Sequence, residues 1–241
     1  AVESMSEGEF SVILDRTPFY GEGGGQVGDT GYITSGGVSL RVTDTKKKDG
    51  VYIHLCTLEN GKISVGDTVD AKIDVERRDA IKRNHSAAHL LQAALRSVLG
   101  THVEQAGSYV DEERVRFDFT HFAAMTADEL ERVEKLVNSH ILNGEPIVTA
   151  ETDIDSARKM GAMALFGEKY GSVVRVVKMG EFSTELCGGT HLDNTGKAGL
   201  FKIIGESSVA AGVRRIEGIT GTGVIDYINS KDQLIEQTAK Q

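Results

Sequence analysis

The chain has 241 residues, enough for one large domain or two small ones with a real hydrophobic core. Its 39% hydrophobic and 26% charged residues fit a soluble globular protein and exclude a disordered one. A net charge of −9, with no segment basic overall, argues against a free-standing nucleic-acid binder, which is usually basic.

No apolar run approaches the roughly 20 residues of a membrane helix. The polar, acidic stretch Ala1 to Phe10 is no secretory signal, and an initial Ala1 in place of Met fits a segment of a longer protein. Two cysteines, Cys56 and Cys187, exclude a disulfide scaffold and fit a reducing, cytoplasmic setting.

In chain order, residues 1–77 read as β. Strand-like runs at 10–17, 30–33, 38–44, 50–58 and 66–74 are separated by glycine and Asp-Gly punctuation. Such close spacing predicts a small barrel or sandwich, with hairpin turns at Asp49-Gly50 and Asn60-Gly61. From Asp79 to Leu99 the apolar residues take helical spacing, and Gly100 is a natural stop.

Two strands are then expected around Asp111-Glu112-Glu113. Thr126 and Glu129 form a capping-box pattern opening a helix to about Asn143. A short strand at 146–152, a helix from Ser156 to Phe166, a strand at 172–180 and a strand pair within 200–221 follow. A polar helix begins near Val224 and runs to the last residue, as if continuing beyond it. The overall class is α+β: an N-terminal small β-barrel at 1–77, an α/β core at 78–223, and the start of a C-terminal helix at 224–241.

Basic residues cluster at Lys46-Lys47-Lys48, Arg77-Arg78, Lys82-Arg83 and Arg214-Arg215. Any nucleic-acid contact would have to come from them, although such clusters are usually solvated surface.

The residues that carry chemistry are few. His85 and His89 lie four apart on a predicted helix and so share one face. About 100 residues later comes Cys187-Gly-Gly-Thr-His191, where Gly188 and Gly189 allow a loop to turn both side chains inward. Either pair alone fits chance or core packing. Together, in a chain with seven histidines and two cysteines, they make an N₃S set suited to tetrahedral Zn²⁺. Four protein ligands ordinarily mean a closed structural site. Against that, the ligands come from a helix and a distant loop, and the domain is large enough to fold unaided, so one ligand can be weak and leave room for substrate. Position 86 is Ser, which disfavours the H-E-x-x-H chemistry of zinc peptidases. Cys56 reads as a small buried apolar residue.

The segments at 83–110 (RNHSAAHLLQAALRSVLGTHVEQAGSYV), 187–191 (CGGTH) and 214–221 (RRIEGITG) resemble the editing domain of alanyl-tRNA synthetases. The segment at 15–33 (DRTPFYGEGGGQVGDTGYI) resembles the glycine-rich motif of the β-barrel preceding that core. Freestanding trans-editing proteins share these motifs. The threonyl enzyme's editing domain shares the histidine and cysteine motifs, but not the glycine-rich segment or RRIEGITG.

The resemblance implies hydrolysis of Ser-tRNA(Ala) and Gly-tRNA(Ala), with Ala-tRNA(Ala) left intact. A pocket sized for alanine excludes glycine weakly and cannot firmly reject serine, so a second site that hydrogen-bonds the serine hydroxyl is needed. It implies tRNA(Ala) as partner, with ATP and alanine acting at another domain of a full synthetase and oligomers formed through a C-terminal region.

By motif match, His85, His89, Cys187 and His191 are the expected zinc ligands, and Gln105 is a polar pocket residue. Gln105 and Cys187 are the side chains expected to take part in catalysis, with water rather than a Cys187 acyl intermediate carrying the attack. Gly24 and Gly25, in the loop Gly21 to Gln26, are expected to face the site or the tRNA acceptor end, and Arg214 and Arg215 the acceptor backbone. One departure is Ala88, where family members often carry Thr. A freestanding deacylase, a zinc-stabilised tRNA-binding module and a small-ester hydrolase remain as alternatives.

Overall fold

The computed structural model describes residues 4–5, 8–163 and 171–240. The chain divides into two compact units, Ala1–Asp79 and Ala80–Gln241.

In the first unit the strands are β1 (Ser4–Met5), β2 (Glu9–Val12), β3 (Gly31–Ser35), β4 (Val38–Lys48), β5 (Val51–Asn60), β6 (Ile63–Ser64) and β7 (Asp70–Ile73). Five of them form an antiparallel sheet in the order β2-β5-β4-β3-β7, while β1 pairs with β6. Alternation along β3 and β4 turns Ile33, Leu40 and Val42 inward with Phe19 and Cys56. Burial raises the Cys56 thiol pKa to about 12, as expected of an inert apolar cysteine.

The expected small barrel does not close among the described residues. Closure needs the edge strands to pair, and here the edges β2 and β7 are four residues each and join different neighbours. Asp49 and Gly50, at φ 50° and 80°, make the tight β4–β5 turn. Asn60-Gly61 is no hairpin: the strand after it pairs with β1 rather than β5. The first expected strand is also shorter, ending at Val12 rather than at 17.

The basic residues here are not simply solvated. Lys46 pairs with Glu22 and Asp44, Arg77 Nη1 donates to the Gly28 carbonyl at 2.8 Å, and Arg78 Nε lies 2.8 and 2.9 Å from the two oxygens of buried Asp29.

Helix α1 (Val75–Leu99) carries the chain into the second unit. There follow β8 (Gln105–Val110), β9 (Val115–Thr120), α2 (Ala127–Leu142), β10 (Ile147–Asp153), α3 (Ile154–Lys159), β11 (Val173–Met179), β12 (Ser183–Leu186), a 3₁₀ turn at Thr195–Ala198, β13 (Phe201–Ala210), β14 (Val213–Thr220) and α4 (Thr222–Ala239). Two antiparallel sheets result, β13-β14-β9-β8 and β10-β11-β12. The Thr126–Glu129 capping box forms in both directions and opens α2. The expected helix from Ser156 to Phe166 is cut short. It ends at Lys159, Gly161 takes φ 77°, and Met163 bridges to Glu185; residues 164–166 lie outside the described residues.

Along α1, Asn84 through Leu95 are all buried. A helix buried on every side is normally apolar throughout. This one carries Asn84, His85, Ser86, His89 and Gln92 in its buried stretch, so its polar groups need partners. Asn84 has two: its amide donates to the Asp111 carbonyl at 2.9 Å, and its oxygen accepts from the Thr220 hydroxyl at 2.6 Å. That ties α1 to the β8–β9 turn and to β14.

Candidate metal centre

His85 and His89 project from one face of α1, one turn apart. The β11–β12 hairpin delivers the other two residues: β12 ends at Leu186, and the chain runs straight into Cys187 and the glycine loop. His85, His89, Cys187 and His191 each offer one ligand atom, and these atoms all lie within 4.8 Å of one another. Cys187 Sγ is 3.5 Å from His85 Nε2 and 3.3 Å from His191 Nε2.

A tetrahedral zinc ion, with bonds of about 2.3 Å to sulfur and about 2.0 Å to nitrogen, separates those donors by about 3.5 Å. The four residues therefore fit one metal ion. Burial lowers the His85 pKa to about 4, helped by the nearby Arg175 cation. Burial, the neighbouring imidazoles and Arg175 hold His89 and His191 well below their ordinary value. Neutral imidazoles are the form that binds metals.

Three residues that sequence reasoning did not assign to the site support this set. Arg175, on β11, donates through one Nη1 to the carbonyls of Cys187 at 2.8 Å and Gly189 at 2.7 Å, which fixes the loop's path. Ser86 lies 3.3 Å from His191 Nδ1, and its hydroxyl oxygen accepts the Leu192 N–H at 3.1 Å. Position 86, where a zinc peptidase would carry its glutamate, here braces the returning loop.

Glu185 places Oε2 3.5 Å from His89 Nδ1. That is too long for a formed hydrogen bond, so Nδ1 has no hydrogen-bond partner among the described residues. Burial raises the Glu185 pKa to about 8, against the pull of the Ser183 hydroxyl and Arg96. A carboxylate behind a ligand histidine is a recurring way to orient the ring. A sequence signal existed for Glu185, since it precedes Cys187 by two and alternation puts both on one side of the strand. For Arg175 there was none.

The other expected residues lie elsewhere. Gln105 is half-buried at the start of β8, opposite Phe119 and beside a bulge, and no hydrogen bond joins it to the cluster among the described residues. Arg214 Nε and Nη2 grip Glu206 at 2.6 and 2.7 Å, and Arg215 grips Asp118 at 2.7 and 2.8 Å. Ala88 is buried, 4% exposed. In the first unit Gly24 and Gly25, at φ 57° and 83°, form the tip of a tight turn closed by paired hydrogen bonds between Gly23 and Gln26.

Comparison with known families matches residues 1–77 to the class II (A) tRNA synthetases and residues 174–217 to the threonyl and alanyl tRNA synthetase second additional domain. The second match contains Arg175, Glu185, Cys187 and His191; His85 and His89 lie outside both. Among curated proteins, the alanine–tRNA ligase of Acetivibrio thermocellus is 54% identical over 239 residues, covering 99% of this chain and 27% of that protein. Those of Pelotomaculum thermopropionicum and Pseudomonas syringae pv. syringae are 53% and 52% identical over 241 residues, covering 99% of this chain and 28% of each protein. The chain thus spans little more than a quarter of the length of these relatives.

Proposed function

Because the chain belongs to the alanyl-tRNA synthetase family and carries its second additional domain, we propose that it hydrolyses the ester of mischarged Ser-tRNA(Ala) and Gly-tRNA(Ala). The observation that carries this reading is the cluster of two buried histidines with a half-buried histidine and cysteine, their ligand atoms within 4.8 Å of one another, assembled from an interior helix and a glycine loop. Zinc is the ion such an N₃S set suits. When bound, it supplies a Lewis acid for the ester or an anchor for the α-amino group.

The chain's own residues do the rest. Arg175 and Ser86 hold the loop that carries Cys187 and His191, and Glu185 faces the back of His89. The Gly189 N–H donates to Cys187 Sγ with N···S 3.4 Å, which favours the thiolate form that a metal takes as ligand; with the sulfur so engaged, attack is left to water. Gln105 hydrogen-bonds the serine hydroxyl, which alanine would leave unmet. Gly24 and Gly25 face the tRNA backbone with the outward N–H groups of their turn. Arg214 and Arg215 meet the acceptor phosphates while sharing their guanidinium groups with Glu206 and Asp118. In a full-length ligase ATP and alanine would act at another domain, oligomers would form through the C-terminal region, and the work would be cytoplasmic. No helix among the described residues is long and apolar enough to cross a membrane.

The test is deacylation of Ser-tRNA(Ala) beside Ala-tRNA(Ala), with and without a zinc chelator. The expected result is rapid release of serine, slow release of alanine and loss of the difference on chelation. Equal rates for the two would overturn the reading in favour of a binding module.

A further inference from the structure

Five aromatic rings run from the interior of the second unit to its surface. Phe117 and Phe119 on β9 are 1% and 0% exposed, whereas Phe122 is 90% exposed. Between them lie His121 and His102. Neighbouring rings are nearly parallel throughout: Phe117–Phe119 25°, Phe119–His121 27°, His121–His102 26° and His102–Phe122 19°. Their centroids are 5.3 to 6.5 Å apart.

The two histidines behind Phe122 are held in place. His102 Nε2 and His121 Nδ1 are 3.0 Å apart and share a hydrogen bond. The Thr120 hydroxyl donates to the His102 carbonyl at 2.8 Å and accepts the Glu104 N–H at 2.9 Å. Arg96 donates to the Val103 carbonyl at 2.6 Å, and the His121 N–H donates to Gly212 at 3.0 Å. Gly100 leaves room for the His102 ring, which a side chain at 100 would meet at 3.1 Å. A lone exposed phenylalanine needs no explanation. A phenylalanine whose ring lies nearly parallel to the rings behind it is a flat surface that can take one more ring.

We infer that Phe122, backed by His102 and His121, is a stacking platform for an unpaired nucleobase of the tRNA acceptor end. The inference rests on the tRNA reading above. Two features choose a base over a phosphate or an apolar protein segment. Glu104 is exposed beside the platform, and Glu129 lies close enough to feel both His121 and Arg132, so the charges around the platform are mixed rather than a basic phosphate cradle. Stacking on a π-face needs no net positive charge, which suits a chain of net charge −9. The location suits the unpaired nucleotides preceding the aminoacyl ester. His102 follows the end of α1, and the ten steps from His89 to Leu99 already span about 15 Å of helix.

The experiment uses the chain with a short single-stranded RNA ending in CCA and carrying aminopurine, read by fluorescence quenching, alongside deacylation kinetics. Quenching by the unaltered protein should weaken about tenfold in Phe122→Ala, persist in Phe122→Tyr and fail to return in Phe122→Leu. His102→Ala should weaken it too, and Val65→Ala, an exposed apolar residue of the first unit, should not. The deacylation loss in Phe122→Ala should appear in KM.

Binding by Phe122→Ala equal to the unaltered protein, or by Phe122→Leu equal to Phe122→Tyr, would overturn the platform. So would a self-association that Phe122→Ala abolishes while RNA binding is untouched. The two readings separate cleanly. Quenching through Phe122 without seryl deacylation leaves the platform standing and removes the editing reading; deacylation indifferent to Phe122 does the reverse.

Discussion

Arg175 donates to the Cys187 and Gly189 carbonyls from a single nitrogen, so one guanidinium on β11 sets the path of the loop holding half the metal cluster. Changing Arg175 to Ala leaves two carbonyls without that donor and frees the loop. Metal affinity should fall about 10- to 100-fold, the range for a lost supporting contact. Arg175→Lys should recover only part of it, because the ammonium sits on a differently shaped, more flexible stem and does not reproduce the Nη1 position that reaches both carbonyls. Competition with a chelating dye measures both variants, and unchanged affinity in Arg175→Ala would remove the clamp from the account.

Glu185→Gln keeps the shape behind His89 and removes the ionisable carboxyl. A loss of metal affinity of about tenfold or more is expected, with secondary structure intact by circular dichroism. An equal or tighter metal constant would mean the carboxyl is there for packing alone.

Ser86→Ala removes the acceptor for the Leu192 N–H and the neighbour of His191 Nδ1 in a position 0% exposed. An unmet buried donor should cost about 1–3 kcal/mol, read as a lower urea midpoint in the metal-free protein. A midpoint that does not move would place those groups in contact with water.

Stripped of metal, the protein should be most stable near neutrality. Below about pH 6.5 the unfolded chain protonates its histidines, while folded His85 waits until about 4 and His89 and His191 also stay neutral. Their contribution is complete above the unfolded pKa and is lost as pH falls toward the folded values. Glu185 acts oppositely: held protonated up to about 8, it contributes below its ordinary carboxyl range and loses that contribution as pH rises toward 8. Three imidazoles outweigh one carboxyl on the acid side, so urea midpoints should drop between pH 6.5 and 4.5. A flat or rising profile toward acid would show that the imidazoles are not buried as neutral bases.

In the first unit, two glycines of one motif should behave differently. A Cβ on Gly28 would lie 2.1 Å from the Thr45 carbonyl oxygen, so Gly28→Ala should unfold or strongly destabilise that unit. Gly24→Ala meets nothing within 4 Å and has only its φ of 57° to strain, a cost of about 1–2 kcal/mol. If Gly24 faces tRNA, its variant should lose more deacylation than thermal stability; parallel small losses would make the tip an ordinary turn.

The sequence by itself determined the α+β class, the helix bearing His85 and His89, the capping box at Thr126 and Glu129, and the two ligand pairs. Each is a local matter of period, spacing or turn chemistry, readable within a few residues. Tertiary structure alone decided whether the strands of the first unit close, since pairing β2 with β5 rather than β7 is a long-range choice.

Only tertiary structure, too, could bring Arg175 to Cys187, Ser86 to His191 and Phe122 to the end of a stack that begins in the core. It also gave Arg214 and Arg215, expected at the acceptor backbone, the carboxylate partners Glu206 and Asp118. Those contacts join residues distant in sequence, and no local rule says which carboxylate, carbonyl or ring will be brought near. The four residues of the candidate metal centre were legible because metal chemistry demands rare residue types at tight spacings. Their supports were not, because an arginine, a serine or a glutamate is ordinary until folding puts it beside something that needs it.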